Sequence, residues 1–277
     1  MKVLILGSTG MLGHIVSYHL TKSSNYTVFN LSRRSIGQKN SIVCDINDLT
    51  NFEKHINKLN PDIVINCIGL LINETTKNIE YAEYINSYLP KFLIEISNKK
   101  FKVIHISTDC VFKGDKGSYN EYSIKDASDG YGITKSNGEF DLPGHLTIRT
   151  SIIGPDLKKN GSGLFQWIMN QVGEVKGYTN VKWTGVTTIE LSKAIDFAII
   201  NSIDGIWNLT NQEIISKFQL LKIIIESFQF TKVKLIEDSN YVSNKSLISV
   251  RDIKYKVPSY KDMIEEMREY VIRSNLY

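Results

Sequence analysis

Residues 2–13 of the chain have the sequence KVLILGSTGMLG, an apolar run that passes directly into a glycine-rich turn. A continuous apolar run that ends in glycine is typical of a parallel strand buried on both faces. Gly7, Gly10 and Gly13 form the pattern G-x-x-G-x-x-G, and a helical pattern covers residues 11–21. Glycines at such a turn allow the backbone to approach a pyrophosphate, and the helix N-terminus supplies oriented N–H groups. We therefore predict a dinucleotide site here, the alternative being a glycine turn that serves only the fold.

The alternation of strand and helix continues through the first half of the chain. Strands are predicted over residues 26–31, 41–45, 62–69, 101–107 and 146–151, and helices over 48–59, 78–98 and about 128–140. Repetition of this kind implies an α/β fold, namely a doubly wound parallel sheet of the Rossmann type.

The second half is less regular. Amphipathic segments lie near 164–172 and 188–201, a strand is predicted over 205–210, and Ser259 is a plausible cap for a terminal helix. We predict an NAD(P)-binding Rossmann core over residues 1–154. A smaller, mostly substrate-binding part is predicted over 155–277, with about 188–210 returning to the core.

The composition of the chain excludes several classes of protein. Its 277 residues are 42% hydrophobic and 22% charged, with a net charge of +4, as in ordinary soluble globular proteins. The absence of a basic stripe interleaved with aromatic residues argues against nucleic-acid binding. Three cysteines without metal-ligand spacing predict reduced thiols and no metal site. No apolar run approaches the roughly 20 residues that span a bilayer, so we expect a cytoplasmic protein without a membrane partner.

The end of the second predicted strand bears on which dinucleotide is bound. NAD-binding domains usually place an acidic residue there to hold the ribose 2′-hydroxyl. This chain instead has LSRRS, with Ser32, Arg33, Arg34 and Ser35. Arginine can pair with a 2′-phosphate through two hydrogen bonds, so the segment favours NADP, with NAD as the alternative. Asp45, after the third strand, is a candidate to contact the adenine.

A second group of polar residues follows the fifth predicted strand. Ser107, Thr108 and Asp109 lie at the carboxyl edge of the sheet, where ligands of this architecture bind. On the next helix, Tyr131 and Lys135 are four residues apart and share one face. A free tyrosine has a pKa of about 10, and a nearby ammonium lowers it towards the range useful for acid–base catalysis. Together with the glycine turn, these residues predict a catalytic site rather than an incidental surface pair.

Several motifs together resemble one known family. They are GSTGMLG, STDCVFKG, YNEY (119–122), YGITKSNGE and IRTSIIG (148–154). The chain is similar to the extended short-chain dehydrogenase/reductases, and more closely to their dTDP-4-dehydrorhamnose reductase branch. The first 154 residues match that layout closely, and the remainder matches loosely through GVTTIELSKAI (185–195).

This resemblance implies roles for individual residues. Thr108 would hydrogen-bond the substrate carbonyl, Tyr131 would donate the proton, and Lys135 would hold the cofactor ribose and tune Tyr131. Asn86 would support the lysine and an ordered water, and Asp109 completes the predicted catalytic set. The predicted cofactor-binding residues are Gly7, Thr9, Gly10, Met11, Leu12, Gly13, Ser32, Arg33, Arg34, Asp45, Ile46, Cys67, Ile68, Gly69, Asn86, Ser107, Tyr131 and Lys135.

The predicted function is NADP-dependent reduction of a 4-keto nucleotide-linked deoxysugar in surface polysaccharide synthesis. By family analogy the enzyme would form a homodimer. One alternative is a nucleotide-sugar epimerase or dehydratase of the same superfamily, and another is a non-catalytic NADP-binding regulatory subunit. The intact set of Thr108, Tyr131 and Lys135 argues against the regulatory subunit. The segments CIGLL and IIGPDL depart from the family pattern and leave the sugar open.

The stretch 154–163 is predicted to be a loop that closes over the substrate. Gly154, Gly161 and Gly163 would give it hinge freedom, and Lys158 with Lys159 could meet a diphosphate. The alternative is a solvated connection in which the lysines are incidental.

Overall fold

The computed structural model describes residues 1–34, 37, 39–158, 161, 163–274 and 277. Its strands are β1 (Lys2–Leu6), β2 (Thr27–Ser32), β3 (Ser41–Val43), β4 (Ile63–Asn66), β5 (Lys102–Ser107), β6 (Leu146–Arg149), β7 (Ile152–Ile153), β8 (Gly173–Tyr178), β9 (Val181–Trp183), β10 (Val186–Thr187), β11 (Gly205–Asn208), β12 (Ile215–Ser216), β13 (Val233–Asp238) and β14 (Ser243–Asn244). Its α-helices are α1 (Gly13–Thr21), α2 (Leu49–Leu59), α3 (Ile72–Lys77), α4 (Ile79–Glu83), α5 (Leu89–Ser97), α6 (Gly130–Gly138), α7 (Leu164–Met169), α8 (Thr188–Ile200), α9 (Lys217–Phe228) and α10 (Tyr260–Ser274).

Seven parallel strands form the main sheet, in the order β11-β6-β5-β4-β1-β2-β3. The predicted doubly wound parallel sheet is therefore confirmed. The strand order reverses between β1 and β4, and in sheets of this type ligands bind in the crevice at that reversal. The predicted strand over 62–69 ends at Asn66, so the residues that follow it are free to line the crevice.

Both faces of the main sheet are buried, which explains the continuous apolar runs of its strands. In β1, Val3 and Ile5 belong to one hydrophobic cluster, whereas Leu4 and Leu6 belong to the cluster on the other face. The first cluster also contains residues of the second half, such as Trp183. The two halves of the chain therefore share one core.

The second half both joins the main sheet and builds small sheets of its own. β11 pairs with β6 in the main sheet, while β8 pairs with β13 and β9 lies between β12 and β14. β10 pairs with β7, the short strand that follows β6. The proposed domain boundary at residue 154 stays a prediction. No helix in the described ranges is long and apolar enough to cross a membrane.

Candidate active site

The glycine turn between β1 and α1 leaves no room for a side chain at Gly7 or Gly13. Gly7 has φ +74°, and a Cβ added there would lie 2.9 Å from Ile68 Cγ1. A Cβ on Gly13 would lie 2.2 Å from the Gly7 carbonyl oxygen, so the start of α1 packs against the turn. Leu12 precedes α1 and provides no side-chain cap. His14 N and Ile15 N already donate to backbone carbonyls of the turn, so an anion would meet the N–H groups of residues 11–13.

Thr9, Gly10 and Met11 complete this turn and are half-buried. A Cβ added to Gly163 would lie 3.2 Å from Met11 Sδ, so the far end of the predicted substrate loop lies against the glycine turn. Lys158 N donates to Asp156 Oδ1 over 3.0 Å within that loop. Lys159 and Ser162 lie outside the described residues, so closure of the loop stays a prediction.

The residues predicted around the adenosine lie after β2 and β3. Arg33 and Arg34 are exposed, and Ser32 Oγ donates to the Arg34 carbonyl over 2.6 Å. Asp45 is exposed, and its Oδ1 accepts a hydrogen bond from Asn47 N at 3.0 Å. Ile46 is buried, and Ser35 lies outside the described residues. The side chains that would meet an adenosine phosphate thus face solvent.

The segment after β4 joins this turn to the second group of residues. Cys67 lies beside Gly7, because a Cβ on Gly7 would be 3.3 Å from the Cys67 backbone. Burial raises the pKa of the Cys67 thiol to about 12. Gly69 lies beside Lys135, since a Cβ on Gly69 would be 3.8 Å from Lys135 Nζ. The crevice side of this segment therefore runs from the glycine turn to the predicted lysine.

Asn86 lies in a π-helical turn, Tyr84–Tyr88, that joins α4 to α5. Its Oδ1 accepts from Leu70 N at 2.9 Å, and its Nδ2 donates to the Leu70 carbonyl and to Thr134 Oγ1 at 3.1 and 3.2 Å. A Cβ on Gly138 would lie 1.9 Å from the Asn86 carbonyl oxygen, so α6 packs directly on this turn. π-Helical turns occur frequently at functional sites. Here the turn fixes Asn86 between the segment after β4 and the helix of Tyr131.

α6 carries the predicted catalytic pair. Asp129 caps the helix, its Oδ1 accepting from Gly132 N at 2.8 Å. The hydroxyl of Tyr131 lies near enough to the Thr108 hydroxyl for that group to act on its pKa. The ammonium of Lys135 is buried and donates to the Ile106 carbonyl over 2.7 Å. The structure thus brings Thr108, Tyr131 and Lys135 to the carboxyl end of β5.

The electrostatics of this pair differ from the sequence-based expectation. Burial lowers the pKa of Lys135 to about 8, and the charge of Glu139 acts against that decrease. Burial raises the pKa of Tyr131, with a further increase from Cys110, and the nearby Thr108 hydroxyl only partly opposes this increase. The expected lowering of the Tyr131 pKa by Lys135 is therefore wrong for this arrangement. The lysine ammonium is engaged by a backbone carbonyl, and burial keeps the phenol neutral.

Asp109 and Cys110 form a short turn with Thr108. Thr108 Oγ1 donates to Asp109 Oδ1 over 3.1 Å and accepts from Cys110 N at 3.1 Å. The Cys110 thiol contacts the same carboxylate oxygen at 3.6 Å, and burial raises its pKa to about 12. Asp109 therefore orients the Thr108 hydroxyl.

A buried ion pair, which the sequence analysis did not single out, lies behind these residues. Glu139 accepts from Arg149 Nε and Nη2, both at 2.8 Å, and from Ser107 Oγ at 2.5 Å. Both side chains are almost fully buried, and Lys125 lies 3.2 Å from the same carboxylate. Glu139 and Arg149 belong to the motifs YGITKSNGE and IRTSIIG. Their place in these motifs is the sequence signal that could have identified them.

Two lysines of the second half were also missed. Charges on Asp109 and Cys110 act on the pKa of Lys217, which begins α9, and on that of Lys245, which follows β14. No motif marked either lysine. Within the described residues, no group of three or more His, Cys, Asp or Glu side chains is arranged to hold a metal ion.

A seven-stranded parallel sheet, a glycine turn at its reversal point and a Tyr-x-x-x-Lys helix beside Thr108 define an extended short-chain dehydrogenase/reductase, a class of NAD(P)-dependent oxidoreductases. The chain belongs to the family described as the RmlD substrate binding domain, whose model matches residues 1–250. The predicted membership in this class of NAD(P)-dependent oxidoreductases is thereby confirmed.

Solved structures and one curated protein resemble the chain over most of its length. The dTDP-4-dehydrorhamnose reductase of Bacillus anthracis, in complex with NADP, is 21% identical with a TM-score of 0.83, over 97% of this chain and 98% of that one. A hypothetical dTDP-4-dehydrorhamnose reductase of Sulfolobus tokodaii is 25% identical with a TM-score of 0.78, over 94% and 98%. The methionine adenosyltransferase 2 subunit beta of Danio rerio is 23% identical over 85% of this chain and 76% of that protein.

Proposed function

We propose that this chain reduces a 4-keto nucleotide-linked deoxysugar with NADPH, in the synthesis of a surface polysaccharide. The observation that carries the proposal is the placement of the Tyr131 phenol near the Thr108 hydroxyl at the end of β5, with the Lys135 ammonium buried on the same helix. A phenol and a hydroxyl at this position can both reach one carbonyl oxygen of a sugar lying in the crevice. The names of the reductases with the same fold support this substrate class.

The residues around the crevice fit a dinucleotide. The uncapped N-terminus of α1 and the turn at Gly7 would hold its pyrophosphate, and Lys135 beside Gly69 would hold the ribose next to the nicotinamide. Arg33 and Arg34 stand where NAD-specific domains carry an acid, so we propose NADP, with the 2′-phosphate between these exposed side chains. When bound, the reduced cofactor supplies the hydride.

The chain's own residues would supply the proton and the orientation. Tyr131 stays neutral because burial raises its pKa, and a neutral phenol is the form that can donate a proton to the developing alkoxide oxygen. Thr108 would hydrogen-bond the same oxygen by turning its hydroxyl proton from Asp109 Oδ1 to the substrate. Asn86 would hold the segment after β4 and α6 at a fixed separation through its bonds to Leu70 and Thr134.

NADPH oxidation with a panel of TDP-, UDP- and GDP-linked 4-keto sugars tests the proposal. We expect turnover with at least one sugar and net consumption of NADPH, which an epimerase would not show. Tyr131→Phe should reduce kcat by roughly a hundred- to ten-thousand-fold, the range of general acid–base catalysis, while NADPH binding changes little. A variant that kept more than about a tenth of the wild-type rate would remove Tyr131 from this role.

A regulatory subunit is the second candidate, because the curated relative is named a subunit of methionine adenosyltransferase. In that case the purified chain would bind NADPH without oxidising it in the presence of any keto sugar, and a partner enzyme would co-purify with it. Assembly as a homodimer stays a prediction, which the mass of the purified protein in solution would test.

A further inference from the structure

Lys217 lies at an unusual place for a cation. It is the first residue of α9, directly after the Ser216 cap, where the positive end of the helix dipole disfavours an ammonium. Its side chain is half-buried and extends over the Trp183 ring, with Nζ 5.2 Å from the ring centroid. Burial lowers the pKa of Lys217, and the charges of Asp109 and Cys110 partly oppose that effect. Trp183 Nε1 in turn donates to Ser151 Oγ over 2.9 Å, and Ser151 follows β6, the strand that pairs with β5. The ammonium therefore lies at the carboxyl edge of the sheet, as Thr108 does.

In the described part of the chain, the Lys217 ammonium has neither an ion pair nor a hydrogen bond. The carboxylate of Asp109 is already bonded by the Thr108 hydroxyl and the Cys110 thiol. The Trp183 ring offsets part of the desolvation cost by a cation–π contact. A partly desolvated charge without a counterion is destabilising, so the fold alone gives no reason for it.

Lys245, whose pKa is also influenced by Asp109 and Cys110, provides a contrast to Lys217. Its ammonium lies 3.7 Å from the Asp129 carboxylate, and its side chain is 18% exposed. A Cβ added to Gly114 would lie 2.7 Å from Lys245 Cγ, so the stem of the lysine is held against the loop after β5. The charge of Lys245 is thus balanced by Asp129, whereas Lys217 has no ion pair among the described residues.

We propose that Lys217 binds an anionic group of the substrate, either a phosphate of the nucleotide diphosphate or a carboxylate on the sugar. The inference rests on the proposed function, because that function places the sugar against Thr108 and Tyr131. Both sources offer the same chemistry, an anionic oxygen, and both lie within a few bonds of the sugar ring. The second half of the chain then contributes a charged residue to specificity from the N-terminus of α9.

Lys217→Met tests this inference by calorimetric titration with UDP, dTDP, UDP-glucose and UDP-glucuronate, in the presence of NADP. The loss of one charge-assisted hydrogen bond should weaken binding by roughly ten- to a hundred-fold. Equal weakening for all four compounds identifies the diphosphate as the anion, and weakening confined to UDP-glucuronate identifies the sugar carboxylate. Lys222→Met, on the same helix, is the matched control: Lys222 is 62% exposed and lies 4.0 Å from Glu226.

Thermal unfolding separates ligand binding from a structural role. Removing a partly buried charge that has no counterion should leave Tm unchanged or raise it, whereas a structural partner of Asp109 would lower Tm when removed. Unchanged affinity of Lys217→Met for all four compounds, or no binding of any of them by the wild type, overturns the inference. These titrations need no turnover, so a lack of NADPH oxidation with keto sugars would refute the proposed function without deciding the role of Lys217.

Discussion

Glu139→Gln should both destabilise the protein and change its pH dependence. The carboxylate is buried, binds Arg149 through two hydrogen bonds of 2.8 Å, and accepts from Ser107 at 2.5 Å. Glutamine keeps one acceptor oxygen but turns an NH₂ group towards Arg149 or Lys125, both of which are donors. The Arg149 guanidinium is then a buried charge without its counterion.

The expected size of the effect follows from that burial. Removing one partner of a buried ion pair costs about 3–5 kcal/mol. At about 2 °C per kcal/mol for a chain of this size, Tm should fall by roughly 6–10 °C. Lys125→Gln is the matched control, because Lys125 is 31% exposed and contacts the same carboxylate from outside. An exposed pair contributes about 0–1 kcal/mol, so that variant should change Tm by roughly 2 °C or less.

The pH dependence tests whether Glu139 also acts on the catalytic site. Its charge raises the pKa of Lys135, which burial has lowered to about 8. Without that charge the pKa of Lys135 falls further, and the ammonium loses its proton at a lower pH. If activity needs the ammonium, the alkaline decline of kcat/KM should begin at lower pH in Glu139→Gln than in the wild type. Lys125→Gln should not shift the pH at which kcat/KM declines.

Two results would refute this reasoning. An unchanged Tm for Glu139→Gln would mean that Arg149 finds another counterion. A lowered Tm without a shift in the alkaline decline of kcat/KM would mean that the ion pair is purely structural and does not act on Lys135.

Two further predictions concern the cofactor and the substrate loop. The double variant Arg33→Ala/Arg34→Ala should lose at least roughly tenfold in NADPH affinity, because charge-assisted hydrogen bonds contribute about 1.5–3 kcal/mol each. Its NADH affinity should be nearly unchanged. Equal affinities of the wild type for NADPH and NADH would contradict this prediction. Amide hydrogen exchange over residues 154–163 should slow when a nucleotide sugar is added, because closure of the loop excludes water from the reaction site. NADPH alone should slow the exchange much less. Unchanged exchange with a bound nucleotide sugar would favour a solvated connection instead of a closing loop.

The main sheet could be predicted from sequence because its determinants are local. The strands of the first half are short and rich in β-branched and other apolar residues, and the assignment of Val3 and Leu4 to opposite faces needs no partner information. The glycine turn at Gly7 and the four-residue spacing of Tyr131 and Lys135 are likewise local. These features locate the reversal point of the sheet and the helix of Tyr131 before any coordinates are known.

The small sheets of the second half could not be predicted in the same way. β8 and β13 pair over six residues each, although the two strands are 60 positions apart in the chain. Only long-range pairing fixes their conformation, and their sequences alternate too weakly to indicate it. α9 does carry a local signal in its sequence, because Ser216 and Gln219 form a capping box at its start.

The protonation state of Tyr131 shows why local spacing was insufficient at the site itself. A lysine four residues away suggested a lowered pKa for Tyr131, yet burial decides the direction and raises it. A neutral phenol is the form that reduction of a carbonyl requires, since the hydroxyl must give up its proton during the step. The segment of Lys245 lies against the loop after β5, since a Cβ added to Gly114 would be 2.7 Å from Lys245 Cγ. The second half of the chain would therefore set both the charge that the substrate meets and the proton available to it.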